Sequence, residues 1–393
     1  MRLLRTLPTS RLIVFVVAVF ALVGGGGAAI AIAAGGGGPT PSPKPLDRAI
    51  HDALAGPAPE GVTARVKFTN KLFPSGALLG NAGSALMSGA SGRLWLANDG
   101  RGRIELQSDV GDVQIVWNAS TLSVYDASSN TVYRAALPAH ASGASGSSDA
   151  GGPPALSEID KLLSELGAHA DVSAAKPTDI AGRPAYRVSL SPKHDGGLLA
   201  SAKLAWDAEH GVPLRVAIFA QGSGAPVLEL TVTDISYGSV SASNVDLRPP
   251  SGAKVVDLSS SARDKSAGGR TAAITGLAQV QAAAGFPVTA PDTLVGLPRK
   301  DVRLVGGPDS KAALVIYGQG LGAILVVERK ADSTGPNGGV SSSLPTVSLD
   351  GISAHELATQ LGTVLEWRHG GTAYVLAGSL PAAAAESAAR QLR

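Results

Sequence analysis

The sequence predicts an α+β protein: an antiparallel sheet with a few helices against it, then a smaller α+β unit, all behind an N-terminal signal or transmembrane helix. Three observations predict it. Residues 93–137 alternate apolar and polar side chains in short runs, with turn formers at Asn98-Asp99-Gly100, at Asp112, at Asn118 and at Asn130. Alternation at period two with turn chemistry every ~8–12 residues is the mark of an antiparallel meander. Residues 271–393 mix Ala-rich helical stretches with further strand runs, after a polar stretch at 259–270. Residues 12–34 carry no charge at all.

The N-terminal segment sets an address. Arg2, Arg5 and Arg11 precede the uncharged run, which at 1.5 Å per residue spans roughly 30 Å of hydrocarbon as a helix. Arginines on the flank stay cytoplasmic, which exports the rest. Two outcomes stay open. Ala31, Ile32 and Ala33 form an A-x-A-like cleavage site, whereas the length of the run favours a retained anchor. The expected location is therefore the cell membrane, single-pass with the C-terminal part extracytoplasmic, or secretion if the signal is cleaved. The Gly- and Pro-rich stretch 35–45 reads as an extended spacer.

Composition narrows the function. A hydrophobic content of 44% suffices for real cores, and a net charge of +2 makes no electrostatic case for nucleic acid. With no cysteine in the chain, disulfides, thiolate metal sites, a Cys nucleophile and a lipid-modified Cys are excluded.

Along the first globular stretch, residues 46–258, Leu46, Ile50 and Leu54 share one face of a short helix. Strands begin at Val62, and 73–92 reads as a Gly/Ser/Ala loop or flap. Residues 140–154 are low-complexity. Leu156, Ile159, Leu163 and Leu166 are at helical spacing. Strands resume over 180–190, 203–207, 213–219 and 227–237, with a hairpin turn at Gly211. In the second stretch, 271–393, a helix ends near Gly285, and strands are expected at 302–305, 312–317 and 323–328. Ser353 and Glu356 have capping-box spacing, which predicts a helix to Leu361. A hairpin at His369-Gly370-Gly371 and an Ala-rich helix over 380–392 close the chain.

No catalytic constellation is visible. His51, His140, His169, His194, His210, His355 and His369 show no pair at three or four residues' spacing, so metal ligation is not expected. Gly318, Gly320 and Gly322 make half of a dinucleotide fingerprint, but between two strands they read as a hairpin turn. There is no nucleophile elbow and no phosphate loop. The expectation is a protein that is not an enzyme and needs no cofactor. Trp95, Trp117, Trp206 and Trp367 all fall in strands and read as core. What remains is a sheet able to curve over an apolar cleft.

The runs 94–108 and 124–134 resemble the central strands of the LolA-like lipoprotein-carrier superfamily, which includes the MucB/RseB-type regulators of envelope-stress sigma factors. The run 204–216, with Trp206, Asp207, Gly211, Pro213, Leu214 and Arg215, is similar to the later hairpin of that superfamily. Residues 233–240 and 247–253 resemble its closing strand. The resemblance covers about 46–258. It implies a curved antiparallel β half-barrel with helices in its mouth, enclosing an apolar cavity. Carriers of the family shield acyl chains of lipoproteins, and the regulator branch holds an anti-sigma factor. Residues 364–378 and the helix after them resemble small C-terminal domains of membrane-anchored, sigma-regulator-like proteins. The implied function is binding of a lipid or lipoprotein acyl chain in an apolar cleft, or regulatory binding of an anti-sigma factor or other envelope partner. Alternating strand positions supply the cleft candidates: Leu94, Leu96, Ile104, Leu106, Ile115, Val124, Leu204 and Trp206.

Overall fold

The structure, a computed structural model, describes residues 39–72, 85–137, 155–168, 170–193, 197–246, 248–257, 274–307, 311–331 and 344–392. The expected membrane segment 12–34, the low-complexity stretch 140–154, the linker 259–270 and most of the expected flap lie outside the described residues. Among the described residues no helix is long and apolar enough to cross a membrane.

The described residues form two sheets. The first is built in the order α1 (Leu46–Ala55), β1 (Gly61–Asn70), α2 (Ala85–Ser88), β2 (Ala90–Ala97), β3 (Gly102–Ser108), β4 (Gly111–Trp117), β5 (Thr121–Asp126) and β6 (Thr131–Ala136). Then come α3 (Leu156–Gly167), β7 (Ala170–Val172), β8 (Lys176–Ile180), β9 (Arg183–Pro192), β10 (Leu199–Asp207), β11 (Pro213–Ala220), β12 (Leu228–Tyr237) and β13 (Lys254–Asp257). In space the strands run β13-β6-β5-β4-β3-β2-β1-β12-β11-β10-β9-β7, with β8 also on β9. All neighbours are antiparallel except β13 on β6. Burial follows the alternation: Val113, Ile115 and Trp117 of β4 are buried and the residues between them are not.

Curvature can be read from which side chains meet. Trp117 of β4 and Leu214 of β11 line one small cavity, although five ladder steps separate their strands. On a flat sheet that is ~24 Å at the usual strand spacing. The sheet therefore curls into a half-barrel with its apolar face inward, helped by a bulge at Thr233 of β12, opposite Arg65 and Val66 of β1. α1 lies against the far wall, where Ala49 and Ala53 pack with Tyr186, Val188 and Trp206.

The second sheet follows α4 (Leu277–Ala284) and contains β14 (Thr293–Leu294), β15 (Leu297–Val305), β16 (Ala312–Tyr317), β17 (Ile324–Lys330), β18 (Thr346–Leu349), β19 (Ile352–Thr359), β20 (Gly362–His369) and β21 (Thr372–Gly378). The spatial order is β14-β15-β16-β17-β21-β20-β19-β18. α4 and the closing helix α5 (Ala382–Arg390) contribute Val280, Ala385 and Ala388 to its core, with Val315, Leu365 and Trp367 from the strands.

Three expectations from the sequence are corrected. The helix expected from Ser353 to Leu361 is β19, paired with β18 on one side and β20 on the other. A strand flanked on both sides gains two ladders, which outweighs the local capping pattern. The run 180–190 is not one strand, because Ala181 and Gly182 at φ 54° and 73° fold β8 back on β9. The expected flap is in part ordered: α2 packs Ala85 into the first core, and β2 begins at Ala90.

Candidate functional site

The inner wall of the half-barrel is the candidate site. Leu94, Leu96, Ile104, Leu106 and Ile115 are all buried in one cluster with Val62, Trp117 and Leu214. Val124 is half-buried and packs on that cluster. Leu204 packs both there and against the α1 cluster. Trp206 lies apart, buried with α1 and at 6.2 Å between ring centroids from Tyr186.

A cavity of about 30 Å³ opens on this wall. Of the eight candidates only Leu94 and Ile104 line it, together with Trp117, Leu214 and Val232. Trp117 reads as plain core in the sequence; its place in the cavity comes from the curl. Its ring lies where a side chain at position 102 would stand: a Cβ on Gly102 would come within 2.1 Å of it. A cavity of that volume has room for only a few waters, so this part of the wall is largely filled by its own side chains.

Behind the wall is a polar lock. Asp207 ends β10 and is fully buried. Its carboxylate accepts from the Tyr237 hydroxyl at 2.6 Å and from Arg183 Nε at 3.0 Å. It also accepts from the backbone N–H of Glu209 at 2.8 Å and of His210 at 2.9 Å, which closes the β10–β11 turn. Burial pushes this carboxyl up, but the bonds from Tyr237, His210, Glu209 and Arg183 outweigh burial and hold it below the usual carboxylate range. Burial and the bond to Asp207 push the Tyr237 phenol well up. His210 stacks on Tyr237 at 4.1 Å and Arg183 lies over the same ring. One carboxylate thus ties β9, the β10–β11 turn and β12 together. All its lone pairs are engaged in holding strands, so the cluster reads as structural. Among the described residues no group of three or more His, Asp or Glu is placed to hold a metal ion.

One end of the half-barrel meets the second sheet. At the β19–β20 turn, Gln360 donates its backbone N–H to Leu72 O at 3.0 Å and its side-chain amide to Lys71 O, both just past β1. Leu361 packs against the first core. Ser379 Oγ accepts from Leu198 N at 2.9 Å and donates to Leu361 O at 2.7 Å.

With this geometry in hand, comparison with known proteins gives structural likenesses. MucB in complex with MucA(peri) is similar at 15% identity and a TM-score of 0.42, over 88% of this chain and 96% of that one. The MucA/MucB complex of Pseudomonas aeruginosa is similar at 16% identity and a TM-score of 0.41, over 88% and 94%. A putative outer membrane lipoprotein-sorting protein domain from Vibrio parahaemolyticus is similar at 12% identity and a TM-score of 0.24, over 51% and 96%. No family model and no curated protein matches the chain. At these identities and scores the likenesses say nothing of ligand, partner or activity.

Proposed function

We propose that this chain is a non-enzymatic, extracytoplasmic binding module, held at the membrane by residues 12–34, that grips an envelope regulatory protein. The observation that carries it is the filled inner wall. The cavity on the inner wall is only about 30 Å³, small for an acyl chain, and this favours a polypeptide held on the outside. The second sheet, which a bare carrier does not need, reaches the end of β1 and the first core through Gln360 and Leu361. The resemblance of residues 94–108, 124–134 and 204–216 to the LolA-like superfamily and its regulator branch supports the same reading.

One observation favours the second reading, an acyl-chain binder. The cavity lining is dominated by apolar side chains such as Val66, Leu94, Ile104 and Trp117. Burial of an alkyl chain there would yield about 25 cal/mol per Å², provided the wall opens.

The test is recovery of the tagged full-length chain from membranes after crosslinking, with proteins and lipids both identified by mass spectrometry. A membrane regulator with an extracytoplasmic segment, and lipid far below one per chain, is the expected result. Acyl lipid at one per chain with no protein partner would overturn the first reading in favour of the second.

A further inference from the structure

We propose that the outer face of the half-barrel carries a binding site for a free α-amino acid, with Arg134 taking the carboxylate and Asp246 the ammonium group. The site lies on the opposite side of the sheet from the inner wall, so it is independent of what the half-barrel holds.

A crossover laid on the sheet makes this site. In β4, β5 and β6, Val116, Ser123 and Arg134 are cross-strand neighbours in one row. Ile115 and Val124 of the adjoining row pack in the inner core, so strand alternation turns the first row outward. The chain between β12 and β13 then passes over that outer face. Its Val245 is only 2% exposed, and its Asp246 carbonyl accepts from Arg103 Nη1 at 3.2 Å. Between crossover and sheet is an open-sided cavity of about 270 Å³, against about 30 Å³ on the inner wall. Pockets for drug-sized ligands begin at ~300 Å³, so this one suits a smaller molecule.

The lining joins both signs of charge to an apolar patch. Arg134 and Asp246 carry the charges, and Val116, Val245 and Pro249 make the patch. Both charges have hydrogen-bonding capacity to spare. The Arg134 guanidinium makes no bond to any described residue. The Asp246 carboxylate has Arg101 at 3.7 Å, beyond hydrogen-bond length, and Arg101 is itself committed to Asp99 through Nε at 2.8 Å. Further donors stand beside them. Asn118 Oδ1 accepts from Ser120 N and Thr121 N at 2.9 Å each, which fixes the amide and leaves its Nδ2 without a partner among the described residues. Trp117 also borders the cavity, and its Nε1 is buried without a partner. A bare anion would be repelled by Asp246, and a metal cation by the two arginines. A zwitterion uses both signs. The guanidinium fork matches a carboxylate, Asp246 pairs with the ammonium, and an amino-acid side chain meets the apolar patch.

The test is isothermal titration of the full chain with each of the standard L-amino acids. At least one should bind saturably. Its N-acetyl and carboxamide derivatives, each lacking one charge, should bind roughly tenfold more weakly or worse, and so should Arg134→Gln and Asp246→Asn with the parent amino acid. The thermal unfolding midpoint of both variants should stay at the wild-type value, because neither side chain makes a hydrogen bond that the fold uses. Saturable binding by none of the amino acids would overturn the proposal. So would binding that either variant leaves unchanged, or that the N-acetyl derivative matches. Binding of inorganic phosphate alone would also overturn it, and would mark a plain anion site. The derivatives test the site without any mutation. Neither lipid nor protein partner enters this assay, so its failure is read separately from an empty crosslinking experiment.

Discussion

Each of the two sheets buries a carboxylate completely, and the two are treated in opposite ways. In the half-barrel, Asp207 accepts four hydrogen bonds, from Tyr237, Arg183, Glu209 and His210, and its carboxyl is held below the usual range. In the second sheet, Glu328 accepts one bond, from Thr289 N at 2.7 Å, while its Oε1 and the neighbouring Tyr317 hydroxyl find no partner among the described residues. Burial pushes the Glu328 carboxyl up to about 7, with the Thr289 bond pulling weakly the other way. The difference is one of supplied donors, not of depth. A buried charge is tolerated where the fold aims donors at it, and it becomes a proton-binding site where the fold does not. The half-barrel is thereby locked in its charged form, while the second sheet is sensitive to pH near neutrality.

The largest effect expected from breaking this contrast is at the satisfied site. Asp207→Ala leaves the Tyr237 hydroxyl and the Arg183 Nε without their acceptor and should cost the half-barrel about 3–5 kcal/mol. Denaturant unfolding followed by amide exchange in β9–β12 checks it, and the exchange of β15–β21 should be unmoved.

Next is the pH response of the second sheet. The Glu328 carboxyl is raised in the folded state, so its favourable contribution is complete below the unfolded value of 4.5 and is lost as pH rises through about 7. The second sheet should be more stable at pH 5 than at pH 8, by up to roughly 3 kcal/mol. Glu328→Gln should flatten that dependence and stabilise the sheet at pH 8. Asp207 has the opposite sign: its contribution is present above the unfolded carboxylate range and is lost as pH falls through its lowered folded value. It therefore adds no slope between pH 5 and 8. Thermal unfolding with exchange readout at the two pH values separates the units.

The smallest effect concerns a turn. Asp350 and Gly351 join β18 to β19 with φ of 49° and 93°. Gly351→Ala should cost about 1 kcal/mol by putting a Cβ in the left-handed region, with faster exchange confined to β18 and β19.

That turn also shows where the sequence was readable and where it was misread. The meander from β2 to β6 was legible because each strand buries one face only, as β3 does with Ile104 and Leu106, so the period-two signal is clean. The region around His355 was read as helix from Ser353 and Glu356, yet the Asp350-Gly351 pair between apolar runs is a strong hairpin signal. Ala181-Gly182 carries no such signal, and only the fold shows it as the β8–β9 turn. At Asp350-Gly351 local turn chemistry outranked the helix pattern. The candidate cleft residues were legible as inward-facing, but not as cavity-lining. Which inward residue borders the cavity depends on how far the sheet curls, and that brings Trp117 to Leu214 across five ladder steps. The polar lock was half legible: the sequence marks Asp207 as a turn residue, while Tyr237 and Arg183 reach it only through the fold. The contact of Gln360 and Leu361 with the end of β1 had no sequence signal, since it joins residues about 290 positions apart.

The central claim is that the filled half-barrel serves a protein partner and not a stored lipid. The most direct measurement is native mass spectrometry of the full-length chain extracted from its own membranes in mild detergent, without prior crosslinking. The account predicts a complex with a membrane regulatory protein and a chain free of bound acyl lipid. A chain that carries one acyl lipid and no protein would contradict it.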